Sequence, residues 1–184
     1  MARIPYVHPD TATGKQKELL DAVQAKLGAT PNMMKAMAGS AVLEGYLELA
    51  GALAGGRIRP SVGERVALAV AQSNECAYCL SVHSYLAENV AKVDPNDIDA
   101  ARRYASSDPK ADAALKFAAA VVRTRGDVPS QAFEAARQAG LSDAELAEIV
   151  GLVALNVLTN YFNKAFEVDV DFPLVEPRSE ALAA

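Results

Sequence analysis

The sequence predicts an all-α protein, a compact bundle of about seven to nine helices, on three observations. Hydrophobic residues make up 51% of the 184-residue chain, much of it alanine, while aromatics reach only 6%. Ala, Leu, Glu, Lys and Arg favour helix, and the β-branched runs that strands need are short and sparse. Helix punctuation also recurs: Thr30-Pro31, Pro60-Ser61, Asp94-Pro95, Asp108-Pro109 and Ser142-x-x-Glu145 each put a capping residue or proline where a helix would begin. A chain of this length can bury a real core, so residues 1–184 read as a single domain. Its central motif spans 61–90, and 1–12 and 168–184 read as arms.

Taken in order, the arm with Pro5 and Pro9 leads to a helix from about Gly14 to Leu27. Leu19, Leu20, Val23 and Leu27 form its apolar face and Gly28 ends it. Thr30 reads as an N-cap with Pro31 at the first helical position. The segment from there to about Leu53 is apolar and Met-rich, with Gly39-Ser40 as a divider into two helices. Ser61-x-x-Glu64 fits a capping box, and Val62 to Ser73 is apolar nearly all round, as in a buried helix. Asn74-Glu75 reads as a break before a helix from near Cys76 to about Val90. Further helices are expected from Asp94-Pro95 to about Ala105, from Asp108-Pro109 to Gly126, and from Ser130 to Ala139. Ser142 then opens a long apolar helix through Phe166, and the proline-bearing tail packs as an arm or frays. Ser61-x-x-Glu64 and Ser142-x-x-Glu145 form an internal echo that aligns Cys76, Cys79 and His83 with Val157, Asn160 and Lys164; two unrelated, well-capped buried helices would give the same pattern.

Composition also narrows function. The net charge is −5, with acidic and basic residues interspersed. The absence of a basic stripe argues against nucleic acid or an anionic membrane as partner. No apolar run approaches the roughly 18–20 residues of a membrane span, and the first ten residues lack the apolar core of a signal peptide. These features predict a cytoplasmic protein. Two cysteines in such a chain do not make a disulfide framework; spaced C-x-x-C, they point to redox or metal chemistry.

The candidate chemistry lies between Glu64 and His83, a stretch holding both cysteines and one of the two histidines. Its pattern is E-x11-C-x2-C-x3-H. On a helix, Cys76, Cys79 and His83 stand at i, i+3 and i+7 and share a face. Cys76 near a helix start has free N–H groups and the macrodipole to favour a thiolate. His83, one turn from Cys79, can take its proton. In such a pair one sulfur attacks and the other resolves. Glu64 joins this group only if the chain reverses at Asn74-Glu75. Counted from that turn at about 1.5 Å per residue, Cys79 lies about 5 Å deep, His83 about 10 Å and Glu64 about 15 Å, so Glu64 would meet the histidine rather than the thiols.

Other readings stand beside this one. Glu64 could serve only its capping box. Zinc held by Cys76, Cys79, His83 and a fourth ligand is possible, though the remaining histidine, His8, lies in the arm. A thioredoxin-like site would follow a strand, and no strand is visible. Asn156, Asn160 and Asn163 recur on one face of the last long helix and need partners, either across at the active-site helices or in a packing network. The cluster Met33, Met34 and Met37 reads as flexible core filler or as pocket wall.

Glu64, Cys76, Cys79 and His83 together match the signature of the alkylhydroperoxidase D-like branch of the carboxymuconolactone decarboxylase superfamily. Ala-Thr-Pro-Asn-Met-Met before the motif and Asn160-Tyr161-Phe162-Asn163 after it resemble its peroxidase-related subgroup. The resemblance covers most of the chain. It implies an all-helical fold, assembled as a trimer, hexamer or related homo-oligomer (a dimer is possible), and reduction of organic hydroperoxides to alcohols without metal, haem or flavin. By position, Cys79 would be the attacking thiolate and Cys76 the resolving thiol, closing a Cys76–Cys79 disulfide. His83 would be the base and Glu64 the relay behind it. The reductant would be a dithiol or a lipoyl-bearing partner protein. Some members carry a histidine between the cysteines where this chain has Tyr78. The decarboxylases lack the cysteine pair, so its presence argues against ring decarboxylation. A redox-sensing or disulfide-exchange protein with little peroxidase turnover is the rival reading.

Overall fold

A computed structural model describes residues 2–178; the part of the C-terminal arm from 179 to 184 lies outside the described residues. The described residues form nine helices and no strand: α1 (Gly14–Leu27), α2 (Asn32–Met37), α3 (Val42–Ala54), α4 (Pro60–Ser73), α5 (Ala77–Asn89), α6 (Pro95–Ala101), α7 (Pro109–Thr124), α8 (Ser130–Gln138) and α9 (Asp143–Ala165).

At the core, α4 packs against α5, α6, α7 and α9. That central place follows from its sequence: Arg65 and every residue from Val66 to Ala71 are buried, as expected of a helix apolar nearly all round. Small residues on this helix, Ala67, Ala69 and Ala71, let its neighbours approach closely. The divider at Gly39-Ser40 separates α2 from α3, so the Met-rich segment is two helices. Met33, Met34 and Met37 are all buried.

Helix starts differ from expectation at two places. Pro31, not Thr30, occupies the N-cap position of α2, and its side chain makes no cap bond. α4 begins at Pro60 behind Arg59 and also has no side-chain cap. Ser61 therefore already lies inside the first turn, and no capping box joins it to Glu64. By contrast, Ser142 and Glu145 form a complete box at the start of α9. The internal echo thus fails at its caps. α6 ends at Ala101, earlier than the punctuation suggests, and Tyr104 follows with φ of 58°.

At 23 residues, α9 is long and apolar enough by length and composition to cross a membrane, which corrects the expectation that no segment approaches that threshold. Half of the qualifying stretch is buried inside the fold, against α3, α4, α5 and α7.

Beneath α4 lies an ion pair removed from solvent. Arg65 Nη2 donates to Asp97 Oδ2 at 2.7 Å, with both side chains only 9% exposed. The Ser107 backbone N–H (2.8 Å), Ser107 Oγ (3.0 Å) and Ser106 Oγ (3.2 Å) complete the carboxylate's shell. Burial opposes ionisation of Asp97, but the bonds from Ser107 and Arg65 outweigh it and hold the carboxyl below its usual range. A carboxylate depressed in the folded state contributes stability above its unfolded pKa, about 3.9, and loses that contribution as pH falls through the folded value. Asp97→Ala strands the Arg65 charge. It is expected to destabilise the protein by about 3–5 kcal/mol at neutral pH in urea unfolding. A loss below about 1 kcal/mol would show the pair to behave like an exposed one.

The arms pack on each other and on the core. The Arg3 N–H donates to the Phe166 carbonyl at 2.8 Å and the Val7 N–H to that of Lys35 at 3.0 Å. Tyr6 Oη donates to Asp169 Oδ2 at 3.0 Å. The tail then runs along α5, where the Val175 N–H donates to Ser81 Oγ at 2.9 Å. Phe172 lies against the rings of Tyr78 and Tyr85, with centroids at 6.4 and 5.8 Å.

Candidate active site

The chain reverses between α4 and α5. Asn74 closes α4, and Glu75 takes a left-handed conformation at φ 51°. Lys164 Nζ donates to the Asn74 carbonyl at 2.6 Å, pinning the turn to α9. Cys76 is then the N-cap of α5. Its sulfur accepts the Cys79 backbone N–H at 3.3 Å, the place a serine or aspartate oxygen usually takes.

This turn brings Glu64, Cys76, Cys79 and His83 to one place. Glu64 Oε2 lies 2.8 Å from His83 Nδ1. Free of a cap, the Glu64 side chain is available for the histidine, and both side chains are 22% exposed. With Nδ1 engaged by Glu64, Nε2 is the histidine nitrogen left for proton exchange. Burial disfavours the imidazolium, but the Glu64 carboxylate beside it prevails and raises the pKa of His83 above its ordinary value.

The two sulfurs are unequal. Both cysteines are free thiols and almost fully buried, Cys76 at 1% and Cys79 at 3% exposure. Cys76 Sγ donates to Cys79 Sγ at 2.7 Å. Asn163 Nδ2 donates to the same Cys79 sulfur at 3.2 Å. Burial opposes ionisation of Cys79, yet the bonds from Cys76 and Asn163, the charge of His83 and the amide of Asn160 bring its thiol down to about 7. Cys76 moves the other way: its donated bond to Cys79, then burial, raise its pKa. The helix start had pointed to Cys76 as the thiolate. In the structure Cys76 donates to Cys79 and Asn163 of α9 donates to the same sulfur, an arrangement that favours the thiolate on Cys79.

Around these groups stand residues the sequence marked only faintly or not at all. Tyr78 accepts the Met33 N–H at 3.1 Å through its hydroxyl oxygen, so it packs against α2 and Phe172. Met33 Sδ shares the Asn163 amide at 3.2 Å. Tyr46 of α3 reads from sequence as an apolar-face residue. Burial, with the charges of Glu64 and Cys79, holds its phenol up to about 12, so it keeps its proton beside the site. Its spacing on an apolar helix face carries no signal of that. Among the asparagines of α9, Asn160 and Asn163 turn to the cysteines, whereas Asn156 Nδ2 bonds back to the Leu152 carbonyl at 2.8 Å within its own helix. Among the described residues, no group of three or more His, Cys, Asp or Glu side chains is placed to hold a metal ion.

The helix order and the paired thiols behind a Glu–His pair define the class: an all-helical domain carrying a dithiol centre. Residues 40–124 match the Carboxymuconolactone decarboxylase family. The chain as a whole has the all-helical fold of an alkylhydroperoxidase AhpD core.

Two crystal structures of uncharacterized peroxidase-related proteins superpose on it. The one from Ralstonia eutropha JMP134, an alkylhydroperoxidase AhpD core, is 22% identical with TM-score 0.83, covering 92% of both chains. The one from Silicibacter sp. TM1040 is 22% identical with TM-score 0.78, covering 99% of this chain and 94% of the other. The debrominase Bmp8 in complex with 2,3,4-tribromopyrrole is 19% identical with TM-score 0.70, covering 93% of this chain and 94% of its own. No curated protein matches the chain in sequence.

Proposed function

We propose that this protein is a thiol-dependent peroxidase that reduces organic hydroperoxides to alcohols. The observation that carries the reading is the asymmetric pair: a Cys79 sulfur lowered to about 7 with a protonated thiol 2.7 Å away. A thiolate in contact with a thiol is arranged to attack once and be resolved once.

In the first step the Cys79 thiolate attacks the outer oxygen of R–O–O–H. An S–O bond forms, the O–O bond breaks, and the sulfur is oxidised by two electrons to sulfenic acid. The alkoxide leaves as alcohol with a proton from imidazolium His83, which Glu64 keeps oriented and basic. Cys76 then attacks the Cys79 sulfur, releasing water and closing a Cys76–Cys79 disulfide. An external dithiol, free or as a lipoyl group on a partner protein, returns the pair to thiols by exchange and is itself oxidised. The burial of both cysteines suits an organic rather than a strongly polar peroxide.

The fold is shared with a debrominase, and a dithiol can also serve reductive removal of bromine. The test therefore sets a panel of alkyl and aryl hydroperoxides against a brominated pyrrole, each with a dithiol reductant, and follows alcohol, bromide and reductant. Multiple turnovers of hydroperoxide are expected. Bromide release without hydroperoxide turnover would overturn the reading. So would rapid oxidation of the cysteine pair with no sustained turnover, the behaviour of a redox sensor.

A further inference from the structure

Two polar atoms near Cys79 are buried without a partner. Asn160 is wholly buried; its Oδ1 accepts from Asn74 Nδ2 at 2.9 Å, and its Nδ2, near enough to Cys79 to favour the thiolate, completes no hydrogen bond. Asn163, 3% exposed, spends its Nδ2 on the sulfurs of Cys79 and Met33, and its Oδ1 meets no donor. Leaving such atoms unpaired in a protein interior is costly, and native structures rarely do so without a functional reason.

The two orphans are complementary. One is a donor and the other an acceptor. They belong to residues three apart on one face of α9, and that face is turned to a single sulfur. The Asn74 bond decides which end of the Asn160 amide points inward. A free donor and a free acceptor side by side fit a hydroxyl group, whose oxygen accepts and whose hydrogen donates. The hydroxyl that the proposed chemistry creates on the sulfur itself is the S–O–H of oxidised Cys79.

We propose that Asn160 and Asn163 form an oxygen cradle for Cys79. When Cys79 takes up oxygen from the hydroperoxide, Asn160 Nδ2 donates to that oxygen and Asn163 Oδ1 accepts its hydrogen. The same contacts form as the O–O bond lengthens, so they hold the transferring oxygen in line and then hold the sulfenic acid until Cys76 attacks. The inference rests on the peroxidase reading for its oxidant and extends it by naming what receives the oxygen. Before oxidation, the Asn163 bond already helps favour the thiolate.

The test is made in Cys76→Ser protein, where Cys79 sulfenic acid has no resolving thiol and the hydroxyl of serine can still cap α5. Asn160→Leu and Asn163→Leu are added singly. Each keeps the branched four-atom shape of asparagine, with bulkier methyls, and removes both amide groups, and the partly exposed Asn74 can turn to water. A stoichiometric dose of hydrogen peroxide oxidises Cys79. Intact-protein mass spectrometry with dimedone trapping then follows the sulfenic acid and its further oxidation to sulfinic acid. Each leucine variant is expected to shorten the sulfenic lifetime by about tenfold, the scale of one hydrogen bond to a polar or charged group.

Lifetimes unchanged from the Cys76→Ser parent would overturn the cradle. If the leucine variants do not fold, Asn160→Asp carries the test. It keeps the shape and the bond from Asn74 but loses the inward donor, and an unchanged lifetime there overturns the proposal equally. Hydrogen peroxide separates the two hypotheses. Asparagine-dependent lifetimes without organic hydroperoxide turnover would sink the substrate assignment and keep the cradle. Turnover with asparagine-independent lifetimes would do the reverse. Failure of Cys79 to form sulfenic acid would overturn both.

Discussion

Cys79→Ser is expected to lower kcat/KM for an organic hydroperoxide on the order of a thousandfold or more, because a serine hydroxyl at neutral pH has neither the charge nor the nucleophilicity of the thiolate it replaces. Cys76→Ser should behave differently. Its Cys79 can still attack, so a single equivalent of alcohol forms in a burst and the reaction then stalls at the sulfenic acid. Single-turnover and steady-state measurements on the two variants separate the roles. The assignment of Cys79 as nucleophile, drawn from its Asn163 bond and its lowered pKa, fails if Cys79→Ser keeps sustained turnover. It also fails if the burst appears in Cys79→Ser rather than in Cys76→Ser. The two thiols touch, so their distance alone does not distinguish them; their unequal hydrogen-bond partners do.

The second large effect is on pH dependence. The rate of Cys79 alkylation, or of its oxidation, should rise with pH and reach half its maximum near 7, where the thiol titrates. The sign of each perturbation follows from charge. Imidazolium His83 favours the thiolate, so His83→Gln removes a positive charge and moves the midpoint upward. A shift of about one pH unit reduces the thiolate about tenfold on the acid side of the curve. Loss of the proton donor to the alkoxide lowers hydroperoxide turnover further, for a combined loss of roughly a hundredfold or more.

Glu64→Gln should act in the same direction but less. Glu64 raises the pKa of His83, so without the carboxylate the imidazolium fraction falls at neutral pH and the help given to Cys79 falls with it. Matched profiles for wild type and Glu64→Gln would show that the 2.8 Å contact between Glu64 and His83 carries no coupling to the thiol. A profile for His83→Gln shifted to lower pH would contradict the sign of the whole scheme.

Much of the fold was legible in the chain because helix signals are local. Asp94-Pro95, Asp108-Pro109 and the Ser142/Glu145 box act within a few residues of themselves, and α6, α7 and α9 begin where they indicate. The local signals failed where two residues compete for one place. Thr30 and Pro31 compete for a single cap, and Pro60 starts α4 one residue ahead of Ser61. That offset matters beyond the helix end: it leaves Glu64 without a capping partner and available to His83.

The linear sequence by itself determined which residue types could do chemistry, and that Cys76, Cys79 and His83 share a helix face. Those facts depend only on residue identity and a repeat of 3.6 residues per turn. The turn at Asn74-Glu75 also let depth along two antiparallel helices be counted in advance. The division of labour between the cysteines, Cys79 attacking and Cys76 resolving, came from the sequence only as what the family resemblance implies. Helix position alone favours Cys76 as thiolate; the tertiary structure adds support for Cys79, by carrying Asn163 from 84 positions away to within 3.2 Å of its sulfur. Tyr46 and the free amide of Asn160 reach the site the same way. Charge and hydrogen bonding act through space over a few ångströms, whereas spacing along a chain reports proximity only within one helix. The chain names the candidate atoms; the packing of α9 on α4 and α5 sets the hydrogen-bond partners of each sulfur.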